Sequence, residues 1–339
     1  MLNREARQLP GDGAPEGIGL GVVVIGRNEG ERLRRCLASV TTAAHLVVYV
    51  DSGSTDGSVT LAESQGVVVV KLDMSVPFTA ARARNAGFAR LTAIAPGLRW
   101  VQFVDGDCEV LPGWLDAARA FLDTRTDVAA VCGRLRERHP ERSLYNLLCD
   151  LEWQAPAGEA RAVGGNAMLR SAALQAAGGY RDDLIAGEEP ELCLRLRRAN
   201  WRIWRLPNDM ALHDAAIERF GQWWRRAVRS GHGLAEGAAL HGAPPERYNV
   251  REMRRALAWG MALPAAIVGA ALVHPAGLLL AAAYPLQVAR LALRDGIADP
   301  ARRWRALFFV LARFAESQGI VTYWINRLRH RRAALIEYK

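Results

Sequence analysis

At 339 residues and 50% hydrophobic composition, the chain is long enough to bury one large α/β core and still carry a tail beyond it. The net charge of +9 is almost wholly arginine, with Lys71 and Lys339 the only lysines. No basic ribbon interleaved with aromatics appears, which argues against a nucleic-acid partner and for anionic lipid headgroups or phosphorylated ligands. The five cysteines (Cys36, Cys108, Cys132, Cys149, Cys193) form no CxxC, which fits buried thiols in a reducing compartment rather than a disulfide frame or a zinc site. Residues 1–18 lack the apolar stretch of a signal peptide and read as a flexible arm.

Leu20 to Ile25 is a short continuous apolar run, the mark of a central parallel strand. Glu29 to Val40 follows at helical spacing, with Leu33, Leu37 and Val40 on one face. Leu46 to Val50 reads as a second strand ending at Asp51, and Ser54-Thr55-Asp56-Gly57 starts a short helix over Ser58 to Gln65. Val67 to Leu72 is a third strand, Ala80 to Leu91 a helix and Trp100 to Val104 a fourth strand. Strand and helix thus alternate at close spacing, which predicts a doubly wound, mostly parallel sheet flanked by helices. Beyond it, Gly113 to Leu122 reads as a helix, and Val128 to Cys132 and Val163 to Leu169 as strands. Ser171 is expected to cap a helix through Ala177, Glu188 to Ala199 is an amphipathic helix, and the globular part should finish near Tyr248.

From Leu257 to Leu293 the only acidic or basic residues are His274 and Arg290, and Pro264, Pro275 and Pro285 punctuate the run. As one segment it is too long for a membrane span, and as two it gives pieces slightly under the roughly 20 residues of a straight one. A hairpin turning at His274-Pro275 and a pair of interfacial helices both fit, as does a soluble Ala/Leu-rich subdomain. Arg251, Arg254 and Arg255 precede the run and Arg290, Arg294, Arg302, Arg303 and Arg305 follow it, which would keep both ends on the cytoplasmic side of a membrane. Ala306 to Leu328 is amphipathic.

The most informative stretch is Asp105-Gly106-Asp107 at the carboxyl end of the fourth strand. Two carboxylates one residue apart repel and raise each other's pKa, a conflict that a hard divalent cation relieves. A plain Asp-Gly turn is the alternative. Three further clusters fall at strand ends or helix starts: Ile25 to Glu29, Asp51 to Asp56, and Gly187 to Glu191. In an open α/β sheet all four could converge on the carboxyl edge and touch one nucleotide.

VVVIGRNEGERLRRCLASV, VVYVDSGSTDGSV, ARARNAGFARL, FVDGDCEVLPGWL and GEEPELCLRLRRANWRI, in this order over residues 20 to 230, resemble the successive signatures of family 2 glycosyltransferases of the GT-A fold. The resemblance implies a Rossmann-like GT-A domain over 19–248, and the apolar run beyond it is expected to form a C-terminal membrane-associated helical region over 249–339. The resemblance also implies an inverting transfer of sugar from a nucleotide-diphosphate sugar, UDP ahead of GDP or dTDP, with Mn²⁺ or Mg²⁺. Donor contacts would fall to Arg27, Asn28, Glu29, Asp51, Arg82, Asn85, Asp105 and Gly106, and metal contacts to Asp107 and His213. Glu189, at the aspartate of the family's Glu-Asp motif, would be the general base, with Glu188 beside it as the alternative. Asn166, Gln222, Arg225 and Arg226 would face the acceptor and the diphosphate. Arg226 stands where processive members carry tryptophan, which argues against polymer synthesis. The expected acceptor is a lipid-linked saccharide or glycolipid at the cytoplasmic face of the inner membrane, in polysaccharide or glycolipid assembly. A polyprenyl-phosphate sugar synthase and a non-catalytic nucleotide-sugar-binding scaffold subunit are the rival readings.

Overall fold

Leu20, Val22, Val23, Val24 and Ile25 are all buried, as a strand covered on both faces requires, and they form the spine of the sheet. The structure is a computed structural model describing residues 19–41 and 46–330; the expected arm over residues 1–18 lies outside the described residues. Strand β1 (Leu20–Gly26) pairs in parallel with β2 (Leu46–Asp51) and with β4 (Trp100–Asp105), and β3 (Val68–Lys71) pairs in parallel with β2. Gly26 stands opposite Asp51 and Ile25 opposite Asp105, so this register lines up the polar ends of β1, β2 and β4 along one edge. Helices α1 (Glu31–Thr41), α2 (Ser58–Ser64) and α3 (Ala80–Ile94) supply the crossovers.

The far half of the sheet is mixed rather than parallel. Strand β8 (Ala167–Arg170) runs antiparallel to β4 and to β6 (Val128–Glu137), and β6 lies parallel to β9 (Arg202–His213). The short β5 (Cys108–Val110) and β7 (Gly158–Ala160) are both antiparallel to β9. Helices intervene here too, but no two strands consecutive in sequence pair with each other in this half. Helix α4 (Trp114–Thr124) buries Trp114, whose indole N–H donates to Gln102 Oε1 at 2.9 Å inside the core. Helix α5 is Leu144–Trp153, α6 Ser171–Ala176 and α7 Glu188–Arg198. Two local expectations change. The strand expected from Val163 begins only at Ala167, with Gly164, Gly165 and Asn166 in a loop. Ser171 is the first helical residue rather than a cap: Arg170 precedes the helix, and the buried Ser171 hydroxyl has no hydrogen-bond partner.

Helix α8 (Phe220–His241) lies against a long C-terminal helix, α12 (Pro300–Leu328). The two cross at glycines: a Cβ on Gly231 would lie 2.1 Å from Glu316 O, and one on Gly319 would lie 2.0 Å from Val228 O. This contact ties the residues after 248 to the sheet-bearing part through backbone-to-backbone packing. Between them, α9 (Val250–Leu257), a π-helical turn over Ala258–Ala262 and α10 (Leu263–Val273) run continuously to His274. A 3₁₀ segment, Pro275–Ala282, and α11 (Ala283–Asp295) then return. The chain therefore turns at His274-Pro275 into a helical hairpin, with Gly277 seated on Ala270. Little of this hairpin is covered: Leu272 is 83% exposed, Val273 88% and Leu279 75%.

Candidate active site

One arginine organises the edge of the sheet. The stripe Ala81, Arg84, Phe88 and Leu91 on α3 faces the core, and it carries the Arg84 guanidinium into the interior. There Nη2 donates to Asp105 Oδ1 at 2.9 Å, and Nη1 lies 2.8 Å from Glu188 Oε1 and 3.1 Å from Glu189 Oε1. The Asp-Gly-Asp loop and the acidic start of α7, far apart in sequence, thus meet on one cation whose planar fork suits several carboxylates. The glycine in the β8 approach is required by the same junction. A Cβ on Gly165 would lie 2.4 Å from Arg84 Nη2 and 2.6 Å from Asp105 Oδ2.

Three carboxylates share a single guanidinium, so the cluster is under-compensated. The Glu188 side chain beside Arg84 is 5% exposed, and the Glu189 side chain 14%. Burial, and then the charge of Glu188, push the Glu189 carboxyl up to about 7 against the pull of Arg84. A carboxylate of that affinity can hold or release a proton near neutral pH, as general-base work demands. Both glutamates border the space in front of the cluster, Glu189 with the more exposed side chain.

Across the cavity from this cluster, Asp107 Oδ2 lies 3.3 Å from His213 Nε2, and ligand atoms of Asp107, Cys108 and His213 lie within 4.8 Å of one another. A carboxylate oxygen and an imidazole nitrogen converging in this way fit a divalent ion such as Mn²⁺ or Mg²⁺. Burial, and then the charge of Asp105, push the Cys108 thiol well up, and its sulfur accepts from Asn166 Nδ2 at 3.3 Å. Sheet register builds this pair, because Cys108 on β5 stands directly opposite His213 on β9.

Two cavities meet at these groups. The larger, about 770 Å³, runs from the β1 end past Arg27, Asn28 and Glu29 to Asp107 and Glu189, and ends at Tyr248 and Asn249. The second, about 430 Å³, lies between β6, α5 and the Gly164-Gly165-Asn166 loop and is lined by Glu152 and Trp153. Asp105, Glu189, His213 and Arg226 border both. A third hollow, about 420 Å³, holds Asp51 with Ser54, Thr60 and Lys71.

The expected site residues divide between these cavities and the framework. Gly106 lies at the cavity floor, its N–H bound to Ile25 O at 2.8 Å. Asn28 joins the β1 and β2 ends, its Oδ1 accepting from Thr55 N at 2.7 Å, and Glu29 pairs with Arg32 at 2.8 Å. Asp51 shapes its own turn, accepting from Gly53 N and Ser54 N at 3.0 Å each, and so meets the third hollow rather than the main cavity. Four residues do not border any of the three. Arg82 points outward and donates to the backbone carbonyls of Asp73, Val76 and Pro77. Asn85 fastens the Tyr180–Asp182 loop, Gln222 caps the start of α8 through Glu218 N and Arg219 N, and Arg225 faces outward from α8. In their places stand Arg84, two residues on, and Arg229, bound to Ile185 O at 3.1 Å, beside the expected Arg226. Helical phase was the available signal: Arg84, not Arg82, lies on the apolar stripe of α3.

The sequence model of glycosyl transferase family 2 matches residues 21–173. Residues 21–173 are thus similar to family 2 glycosyltransferases, and the mixed α/β sheet gives the chain the GT-A fold. Among curated relatives, the pre-mycofactocin glycosyltransferase of Mycobacterium tuberculosis is 28% identical over 235 residues, covering 65% of this chain and 47% of that protein. The chain spans about half the length of the curated relatives it matches. Among solved structures, the mannosyltransferase PcManGT from Pyrobaculum calidifontis, in complex with GDP-Man and Mn²⁺, shares the fold with a TM-score of 0.60 at 23% identity, over 89% of this chain and 87% of that one.

Proposed function

We propose that the protein transfers a sugar from a nucleoside-diphosphate sugar to an acceptor hydroxyl, with inversion, Glu189 taking the hydroxyl proton. The observation that carries this reading is the position of Glu189 at the junction of two cavities, beside Asp105, His213 and Arg226. A donor in the larger cavity and an acceptor in the smaller would meet there. The base would stand beside the attacking oxygen, and one displacement would invert the anomeric centre. Asp107 and His213 would hold Mn²⁺ or Mg²⁺, which when bound neutralises charge on the departing diphosphate. Arg226 and Arg229, on one face of α8, supply further positive charge to the phosphates. The donor is a UDP-sugar first, with GDP-mannose assayed beside it.

Asp107→Ala is expected to lower metal-dependent donor cleavage by at least roughly 10²-fold while leaving the unfolding midpoint nearly unchanged. The check is a screen of nucleotide sugars with Mn²⁺, with and without chelator. Chelator-resistant turnover in the wild type would remove the metal from the reading.

The helical hairpin supports attachment to the cytoplasmic face of the inner membrane. Val250–Val273 and Pro275–Asp295 have mean hydropathies of 2.0 and 1.5 over windows only 6% and 11% buried, a surface that water penalises and lipid accepts. Arg254 and Arg255 at one end and Arg294 at the other anchor both ends on the same side. Tyr248 and Asn249, at the mouth of the larger cavity, immediately precede this hairpin, which supports a lipid-linked saccharide or glycolipid acceptor. The full chain should float with anionic phospholipid vesicles, and a Leu272→Asp, Val273→Asp, Leu279→Asp variant should not. Equal sedimentation of both would sink the attachment.

A further inference from the structure

His213 presents two ring nitrogens to two different carboxylates. Nε2 faces Asp107 in the cavity, whereas Nδ1 is shielded from solvent, has no hydrogen-bond partner, and lies 3.8 Å from Glu137 Oε2. The Glu137 side chain is fully buried, and its place is fixed from several directions. Oε1 accepts from His139 N at 3.1 Å and from Asn146 Nδ2 at 3.4 Å, and Oε2 accepts from Ala215 N at 3.1 Å. Asn146 is held in turn, its Oδ1 accepting from Ile217 N at 3.0 Å. Strand register makes the alignment: Cys108 on β5, His213 on β9 and Glu137 on β6 stand opposite one another in one row across the sheet. The Trp153 ring closes the row edge-on to the imidazole, with centroids 4.8 Å apart.

An imidazole must present a lone pair to bind a metal, so its proton has to sit on the other nitrogen. Without a cation, Asp107 at 3.3 Å is the nearer acceptor; once a cation takes the Nε2 lone pair, the fixed Glu137 carboxylate is the acceptor left for Nδ1–H, and closing the 3.8 Å gap by roughly 1 Å holds the ring plane. We propose that Glu137 is a positioning residue that keeps His213 in the Nδ1–H form and aims Nε2 at the cation site beside Asp107. Glu137 touches neither donor nor acceptor and acts only through His213. The inference rests on the reading of Asp107 and His213 as metal ligands. It extends the site inward by one layer, to a residue outside both cavities.

The test reads metal and tautomer separately from turnover. Mn²⁺ titrated into the full-length protein, with free ion followed by electron paramagnetic resonance and no sugar nucleotide present, should bind roughly 10–100-fold more weakly to Glu137→Gln than to wild type. In a His213→Ala background the Glu137→Gln change should have no further effect, because its only route to the ion is then gone. A loss of affinity that persists in that background would make Glu137 merely structural and overturn the proposal. Should Glu137→Gln fold poorly, the wild type alone decides. At pH 8.5 with saturating Mg²⁺, a diamagnetic stand-in for Mn²⁺, ¹⁵N shifts of His213 should report the Nδ1–H tautomer. An Nε2–H tautomer there, or equal Mn²⁺ affinity in wild type and Glu137→Gln, overturns the role given to Glu137 and leaves the metal site standing. A wild type that binds no Mn²⁺ overturns both.

Discussion

Replacing Glu189 by Gln should lower kcat by roughly 10²–10⁴-fold and leave donor affinity unchanged, because the side chain keeps its shape and loses only its proton acceptor. The pH profile sharpens the expectation. With the Glu189 carboxyl pushed up to about 7, the basic form is lost as pH falls through that value, so kcat should show a rising limb near pH 7. That limb should be absent from the residual rate of the variant. Stability moves the other way. A carboxyl whose folded pKa lies above its ordinary value binds its proton more tightly in the native state, so folding is favoured at low pH and stability is lost as pH rises through about 7. At pH 8 the Gln variant should therefore unfold at higher urea than wild type while being nearly inactive. A variant that keeps its turnover would point to an acceptor that needs no base, such as a polyprenyl phosphate.

Arg84→Met should be the most destabilising single change in the site. It leaves Asp105, Glu188 and Glu189 facing one another with no cation, and stranding partners of a buried pair costs about 3–5 kcal/mol. Urea unfolding at pH 8 should show a loss of that order. The deficit should shrink as pH falls toward 5, since protonating the stranded carboxylates removes their repulsion. Arg84→Lys should recover only part of it, because one ammonium cannot reproduce Nη1 on the two glutamates and Nη2 on Asp105 together. A loss below about 1 kcal/mol in Arg84→Met, the range of exposed pairs, would mean that the three carboxylates are not held by this guanidinium.

The first half of the sheet was legible because each of its strands is a continuous apolar run that only a doubly covered parallel strand needs. β1, β2 and β4 lie where those runs lie, and their polar ends meet where the order of elements predicts. The second half was not. β9 mixes buried positions with half-buried or exposed ones such as Arg202, Trp204 and Asp209 in no regular alternation, and β6 continues through Arg134 and Arg136 past the Cys132 at which its apolar run stops. Both leave the core, so hydrophobicity fades before the strand does. That is why Glu137, the last residue of β6, carried no signal although it stands behind His213. Arg84 is a different failure. Arg82 and Arg84 look alike in ARARN, and only the α3 phase, with Ala81, Phe88 and Leu91 on the same stripe, separates the residue that turns inward from the one that caps a loop. The turn at His274-Pro275 was legible from composition alone, as one of three arrangements that fitted.

The most direct test is a crystal of the full chain grown with Mn²⁺ and a nucleotide-diphosphate sugar, with the ion located by anomalous scattering. One peak should appear between Asp107 Oδ2 and His213 Nε2, bound also to the donor diphosphate, with the anomeric carbon facing Glu189. An ion bound elsewhere, or a diphosphate lodged away from Asp107, would contradict the whole assignment.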